Sequence, residues 1–373
     1  MIKIAYSERS SGVVYHRLRV PLRNFPDQIE VFPFKNPNDL NGKDFHVVIL
    51  NRSFGLSNNL DDLNVLTGLW KSGVKIIIDI DDNWDLPEHH TIRWRSDINY
   101  TQWRDNIVNN LHFADLVWTS TDEIKTKVER EYPNKPVIVV RNVLDKSEEM
   151  WQFKNPLWKK DNKVHIGYVG GNTHYMDLAH IKDAIAKINK YHSKKIMWHQ
   201  CGYENVTDHG KRVSRQIAFT LSKNTNNYRP HGGKPIDEYG YFYDGLDISI
   251  APLANNEFNE CKSELKILEA GQKGCAFIGQ DMVTYSRFDG DVELAGSASE
   301  WYEAIMHYVD NRNDLEDYKS ELRESVKKYS MVDENMKRIE SIVNLLGGKM
   351  LEHEKNNRSK EVSEGEKEVP TDT

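Results

Sequence analysis

Short apolar runs rich in β-branched residues recur along this chain and alternate with segments of helical periodicity. IEVFPF (29–34), FHVVILN (45–51) and VKIIIDI (74–80) are near-continuous apolar runs, where a half-solvated strand would alternate with polar residues. Such runs suit strands covered on both faces, and strand, helix, strand repeats of this kind build parallel α/β sheets. KIAY (3–6), DLVWTS (115–120) and PVIVVRNVLD (136–145) bring the runs to six, and LDDLNVLTGLWKSG (60–73) reads as a helix that stops at Gly73. A polar, proline-containing stretch follows, and the alternation restarts with KVHIGYVGG (163–171), KIMWHQCGY (195–203), the DISIAPL end of 236–253, and GCAFIG (274–279). The expectation is two tandem Rossmann-like α/β domains: residues 1–145, a linker over 146–163, and residues 164–330. A closing helix follows at 331–348, and then an acidic disordered tail over 349–373.

A chain of 373 residues with 38% apolar content can fill two cores of ordinary size. No run is long enough to span a bilayer, and the N-terminus lacks the charged and apolar regions of a signal peptide, so a cytoplasmic protein is expected. Cys201, Cys261 and Cys275 form no CxxC pair, which argues against a disulfide framework or a zinc site. The net charge of −7 is unevenly spread, and the first 25 residues carry Lys3, Arg9, Arg17, Arg19 and Arg23 against Glu8 alone. A local basic patch on an acidic protein favours a phosphate-bearing ligand over general nucleic-acid affinity.

In open parallel sheets, ligands sit beyond the carboxyl ends of the strands. Gly12, in the loop after the first strand, lets backbone approach a substrate, although the loop lacks GxGxxG spacing. His16, Arg17 and Arg19 follow it, either as a solvated basic face or as anion or acceptor contacts. After VKIIIDI come Asp81, Asp82, His89 and His90, whose spacing matches no metal-ligand motif, so no metal is expected. Asp81, Asp82 and His89 are placed to act as a general base. Trp84, Trp94 and Trp103 are either stacking platforms for an acceptor or aromatics closing a loop over the core. Gly170 and Gly171, with Asn172 and His174 opening the next helix, form an anion cradle or simply a tight packing turn. In FNECKSELKILEAGQKGCAFIG (258–279), an amphipathic helix carries Lys262, Ser263, Lys266 and Glu269. Lysines near a helix start suit a diphosphate and a later glutamate suits sugar hydroxyls, but an ordinary charged surface helix has the same look.

Over residues 1 to 346 this order resembles the GT-B architecture of nucleotide-sugar glycosyltransferases, in particular the group-1, family 4-like branch. HIGYVGGNTHYMDL is similar to the first strand and glycine loop of that family's second domain, residues 236–253 to its acidic, aromatic stretch before a D-hydrophobic-hydrophobic-P strand, and residues 258–279 to its donor-binding helix. The resemblance implies that Lys262 meets the diphosphate and Glu269 the ribose. It also implies a UDP- or GDP-sugar as co-substrate, no tightly bound cofactor, and retention of anomeric configuration. Many group-1 enzymes have two glutamates separated by seven residues, the first near the transferred sugar; here that position is Cys261, and either Glu260, one residue away, takes the catalytic role after a small shift or this chain does without it. The acceptor implied is a hydroxyl on a saccharide or surface glycan. SGVVYHRLRVPL also resembles bacteriophage glycosyltransferases, some of which act on hydroxymethylated DNA bases, which would make DNA the acceptor and the host cytoplasm the location. A non-catalytic nucleotide-sugar binding protein and an epimerase are the other readings.

Overall fold

A computed structural model describes residues 1–8, 12–52, 60–88, 90, 93, 99–153, 161–171, 175–223 and 225–348. The first sheet contains β1 (Ile2–Ser7), β2 (Ile29–Phe34), β3 (Val47–Asn51), β4 (Lys75–Ile80), β5 (Leu116–Thr119) and β6 (Val137–Val139). All pairings are parallel, in the order β2-β1-β3-β4-β5-β6. The pleat sorts each apolar run onto two faces. Ile4, Tyr6, Val47, Ile49 and Ile77 join one buried cluster, while Ala5, Val48, Leu50, Ile76, Ile78 and Ile80 join the other. Leu111, Ile124 and Val128 cover the second face; Leu18, Leu22, Ile342 and Val343 cover the first.

The second sheet contains β7 (Val164–Val169), β8 (Ile196–Tyr203), β9 (Tyr228–Gly232), β10 (Ile248–Ala251), β11 (Ala276–Gln280) and β12 (Glu293–Ala295). It is parallel throughout, in the order β12-β11-β10-β7-β8-β9. Two parallel six-stranded sheets bear out the α/β expectation. β9 and β12 are additions to it, and both lie at sheet edges. Pro230 within β9 and the three-residue length of β12 hide them from a pattern search.

Strand order reverses between β1 and β3 in the first sheet and between β7 and β10 in the second, so each sheet has a crevice at that point. The helix Met331–Leu345 returns to the first sheet. Trp118 donates to the Ser341 hydroxyl at 3.1 Å, and Asn335 donates to the Pro21 carbonyl at 2.8 Å. The segment after β1 is helical over residues 12–23, with a π turn at Tyr15–Arg19 just before Pro21. Among the described residues no helix is long and apolar enough to cross a membrane.

Candidate active site

The crevice of the second sheet faces the end of β4, and a cavity of about 190 Å³ lies between the two halves. Gly170, Ala251, Pro252, Lys262, Ser263, Lys266 and Tyr285 line it from the second half, and Asp81 and Asp82 from the first. Lys262 and Ser263 do not sit on a continuous amphipathic helix. The chain forms a short helix at Glu257–Glu260, turns, and starts a second helix at Leu265–Gln272. Asn256 caps the first by accepting from the Asn259 amide at 2.9 Å. Arg287 holds the turn by donating to the carbonyls of Glu260 at 2.7 Å and Lys262 at 2.8 Å. The first half grips the same turn: Thr121 donates to the Cys261 carbonyl at 3.0 Å and Asn142 to the Ser263 hydroxyl at 2.7 Å.

On the wall of the second half, Lys266 donates to Glu269 Oε2 at 2.8 Å and bonds the Tyr239 hydroxyl; Tyr243 donates to the same carboxylate oxygen at 2.5 Å. Burial disfavours the Lys266 ammonium, but the Glu269 carboxylate overrides it, so its pKa lies above the ordinary lysine value. His16 reaches this group from the first half. Burial pushes its pKa down to about 4, with Lys266 adding to the drop and Glu269 partly offsetting it.

Across the cavity, Arg52 clamps both acids. Its Nε and one terminal nitrogen each donate to Asp81 at 2.5 Å, and that nitrogen also reaches Asp82 at 2.7 Å. Burial raises the Asp81 pKa and Arg52 opposes the rise. Arg52 adopts φ 47°, the one left-handed non-glycine residue among those described, at the end of β3. Lys262 closes the gap between walls, donating to Asp82 at 3.3 Å.

The structure therefore brings Asp81, Asp82, Gly170, Lys262, Ser263 and Lys266 to one cavity, with Glu269 and His16 against Lys266. Other candidates are elsewhere. Arg17 is 1% exposed and held by Asp79, so it cannot meet an acceptor. Arg19 is paired with Glu8, and Arg23 with Asp145 and Glu148. Three of the five cations of the N-terminal patch are thus engaged in internal pairs. Trp84 is fully buried in the core of the first half, with Lys127 over its ring at 4.9 Å, so it offers no stacking face. A Cβ on Gly12 would lie 3.2 Å from Ile236, so this glycine meets protein from the other half. Gly171 is exposed beside the cavity, and Glu260 does not line it. The Cys261 side chain is buried in the first half's core cluster, and burial raises its pKa to about 12. Its position thus turns away from the cavity. His89, Trp94, Asn172 and His174 lie outside the described residues. Arg52, Tyr243 and Arg287 were not expected; nothing local in the sequence marks them, although Arg52 follows the polar end of a buried strand, where ligands gather. Among the described residues no group of three or more His, Cys, Asp and Glu is arranged to hold a metal.

Compared with protein-family models and with curated proteins, the sequence matches none. Solved structures match in shape. HepE of Anabaena, in complex with UDP and glucose, is 14% identical with a TM-score of 0.63, over 92% of this chain and 100% of that one. A UDP-forming α,α-trehalose-phosphate synthase of Burkholderia xenovorans is 9% identical with a TM-score of 0.62, over 93% and 100%. An α-glucosyltransferase in complex with UDP and a 13-mer DNA containing an HMU base is 12% identical with a TM-score of 0.60, over 92% and 99%. These are GT-B glycosyltransferases, and the chain shares their fold.

Proposed function

We propose that the protein is a glycosyltransferase that moves a sugar from a nucleotide diphosphate, with UDP the first candidate, to a hydroxyl acceptor. One observation carries the reading: Lys262 and Lys266 converge with the Gly170 backbone at the crevice of the second sheet, directly opposite paired carboxylates. The UDP bound in similar structures supports it. The two ammonium groups neutralise charge developing on the departing diphosphate. Both hydrogen bonds to Glu269 fall on Oε2, leaving Oε1 to accept from a ribose hydroxyl. Lys262 now holds Asp82; when a diphosphate draws it away, Asp82, still clamped by Arg52 through Oδ2, orients the acceptor hydroxyl and takes its proton. We read the transfer as retaining, on the resemblance of residues 258–279. With Cys261 turned into the core, that course relies on no carboxylate at its position.

The acceptor reads first as a saccharide hydroxyl, because Arg17, Arg19 and Arg23, the arginines described in the N-terminal segment, are each paired with a carboxylate. A hydroxyl on a DNA base is the second reading, favoured by the DNA-bound α-glucosyltransferase among similar structures. The test is to titrate the protein with UDP, GDP and ADP, then incubate it with their sugars and measure nucleotide release. Saturable binding lost in Lys262→Met is expected, with slow release from one donor. If no nucleotide bound and none was released, the reading would fall. Binding without release, with or without acceptors, would assign a non-catalytic module.

A further inference from the structure

Beyond the Gly170–Gly171 turn, the helices Tyr175–Ala179 and Asp208–Ser222 pack together and frame a groove of about 870 Å³. Lys211, Arg215 and Phe219 follow one another at four-residue steps along it, with Arg212 on the adjoining strip and Tyr175 on the facing wall. Arg212 and Arg215 have no carboxylate partner among the described residues, and Lys211 has only the exposed Asp208, at 3.7 Å. Arg212 reaches the His209 ring at 3.4 Å. Between residues 182 and 234 the chain carries eleven Lys and Arg against three Asp and Glu, within a protein of net charge −7. On the groove itself Lys211, Arg212 and Arg215 stand against Asp208 alone, so its lining carries a net positive charge within an acidic protein.

Phe219, 66% exposed, sits among these charges. Cations that track a backbone beside a ring that takes a stacked base are the two elements of single-strand recognition. A bilayer would instead meet apolar groups on a convex surface, and here the ring lies in a concavity. We propose that this groove binds a nucleic-acid strand, with phosphates on Lys211, Arg212 and Arg215 and a base against Phe219. The groove stands on its own evidence; that the strand carries the acceptor hydroxyl rests on the second reading above.

The test uses the full chain and a fluorescein-labelled thymidine oligonucleotide of about 20 nucleotides, with the matching duplex, inorganic polyphosphate and phosphatidylglycerol vesicles as further probes. Three phosphate contacts predict that raising salt from about 50 to 200 mM weakens single-strand binding about 20-fold. Lys211→Glu/Arg215→Glu should weaken it at least about tenfold at the lower salt and flatten the salt dependence. Phe219→Ala should cost about tenfold on the oligonucleotide and nothing on polyphosphate. All three residues are at least partly exposed, so melting curves and UDP binding should not change. No salt-dependent oligonucleotide binding, or binding unchanged in the charge-reversed protein, overturns the proposal; vesicle binding lost in that protein while the oligonucleotide is ignored reassigns the face to a bilayer. If UDP fails to bind but the oligonucleotide binds as described, the transferase reading falls and the groove remains.

Discussion

Two cations held by buried carboxylates, one in each half, show how differently the same charge can be used. Arg17 and Lys266 both face a carboxylate, Asp79 at 2.5 Å and Glu269 at 2.8 Å. Arg17 spends its remaining donors as well, on the Val140 carbonyl at 2.5 Å and on Asn142 at 3.2 Å, and its side chain is 1% exposed. Lys266 is 29% exposed and lines the cavity, with its carboxylate behind it and space in front. The first is a structural tie and the second is open to a ligand. What separates them is whether the donors run out before the cavity is reached.

The comparison breaks most sharply if Arg17 is removed. Arg17→Ala leaves Asp79 buried without its main partner, which should cost about 3–5 kcal/mol. Arg338 tempers this. It is fully buried nearby, and burial together with the Arg17 charge lowers its pKa to about 9, so losing Arg17 relieves a repulsion. A urea titration should place the loss near the lower figure. A drop below about 1 kcal/mol, with lost acceptor use, would return Arg17 to the site.

Lys266→Met should weaken UDP by about 30-fold, or about 2 kcal/mol, and because it leaves the 2% exposed Glu269 carboxylate with only the Tyr243 hydroxyl, a loss of stability accompanies it and is read separately by melting. Glu269→Ala is not the clean counterpart that the sequence suggests. Glu269 is 2% exposed and its loss strands both Lys266 and the Tyr243 hydroxyl, so unfolding accompanies any loss of binding. Glu269→Gln keeps the acceptor oxygen and separates the two effects by calorimetry and melting.

How far the sequence disclosed this follows from the same contrast. Sheets buried on both faces leave near-continuous apolar runs, so β1, β3, β4, β7 and β11 were visible, whereas β9 and β12, short and at the edges, were not. Residues at strand ends could be located because topology puts ligands there; Asp81, Asp82 and Gly170 reach the cavity for that reason. Charge and aromaticity could not be resolved into roles. Arg17 and Trp84 look like surface contacts in one dimension, and only packing of the first sheet against its helices encloses them. Cys261 stands one residue from Lys262, yet the turn sends one side chain into the core and the other to the cavity.

Acid probes the space between the halves. His16 lies on the same helical segment as Arg17 and within the field of Lys266, with its pKa lowered to about 4 by burial and by that ammonium. The folded state therefore prefers the neutral ring. Its contribution is complete above the unfolded value near pH 6.5 and is lost as pH falls toward 4. At about pH 5.5 a fully buried histidine would cost about 1.4 kcal/mol, and this half-buried one about 1. His16→Asn should thus be less acid-sensitive than the parent protein in urea titrations at the two pH values. Equal sensitivity would mean that the ring is not held away from water between the halves.

The smallest effect tests the link between the two cations. Arg17 donates to Asn142 Oδ1, and Asn142 Nδ2 donates to Ser263, next to Lys262, so the structural tie of one half ends on the cavity turn of the other. Asn142→Ala removes that link from a turn still held by Thr121 and Arg287, and should cost about 1 kcal/mol. Because Asn142 does not line the cavity, its loss should appear as a KM increase of about fivefold for the nucleotide sugar with kcat little changed, and Asn142→Gln should restore part of it. A fall in kcat at unchanged KM would instead place Asn142 in the chemical step, and the tie would then be part of the machinery it was taken to support.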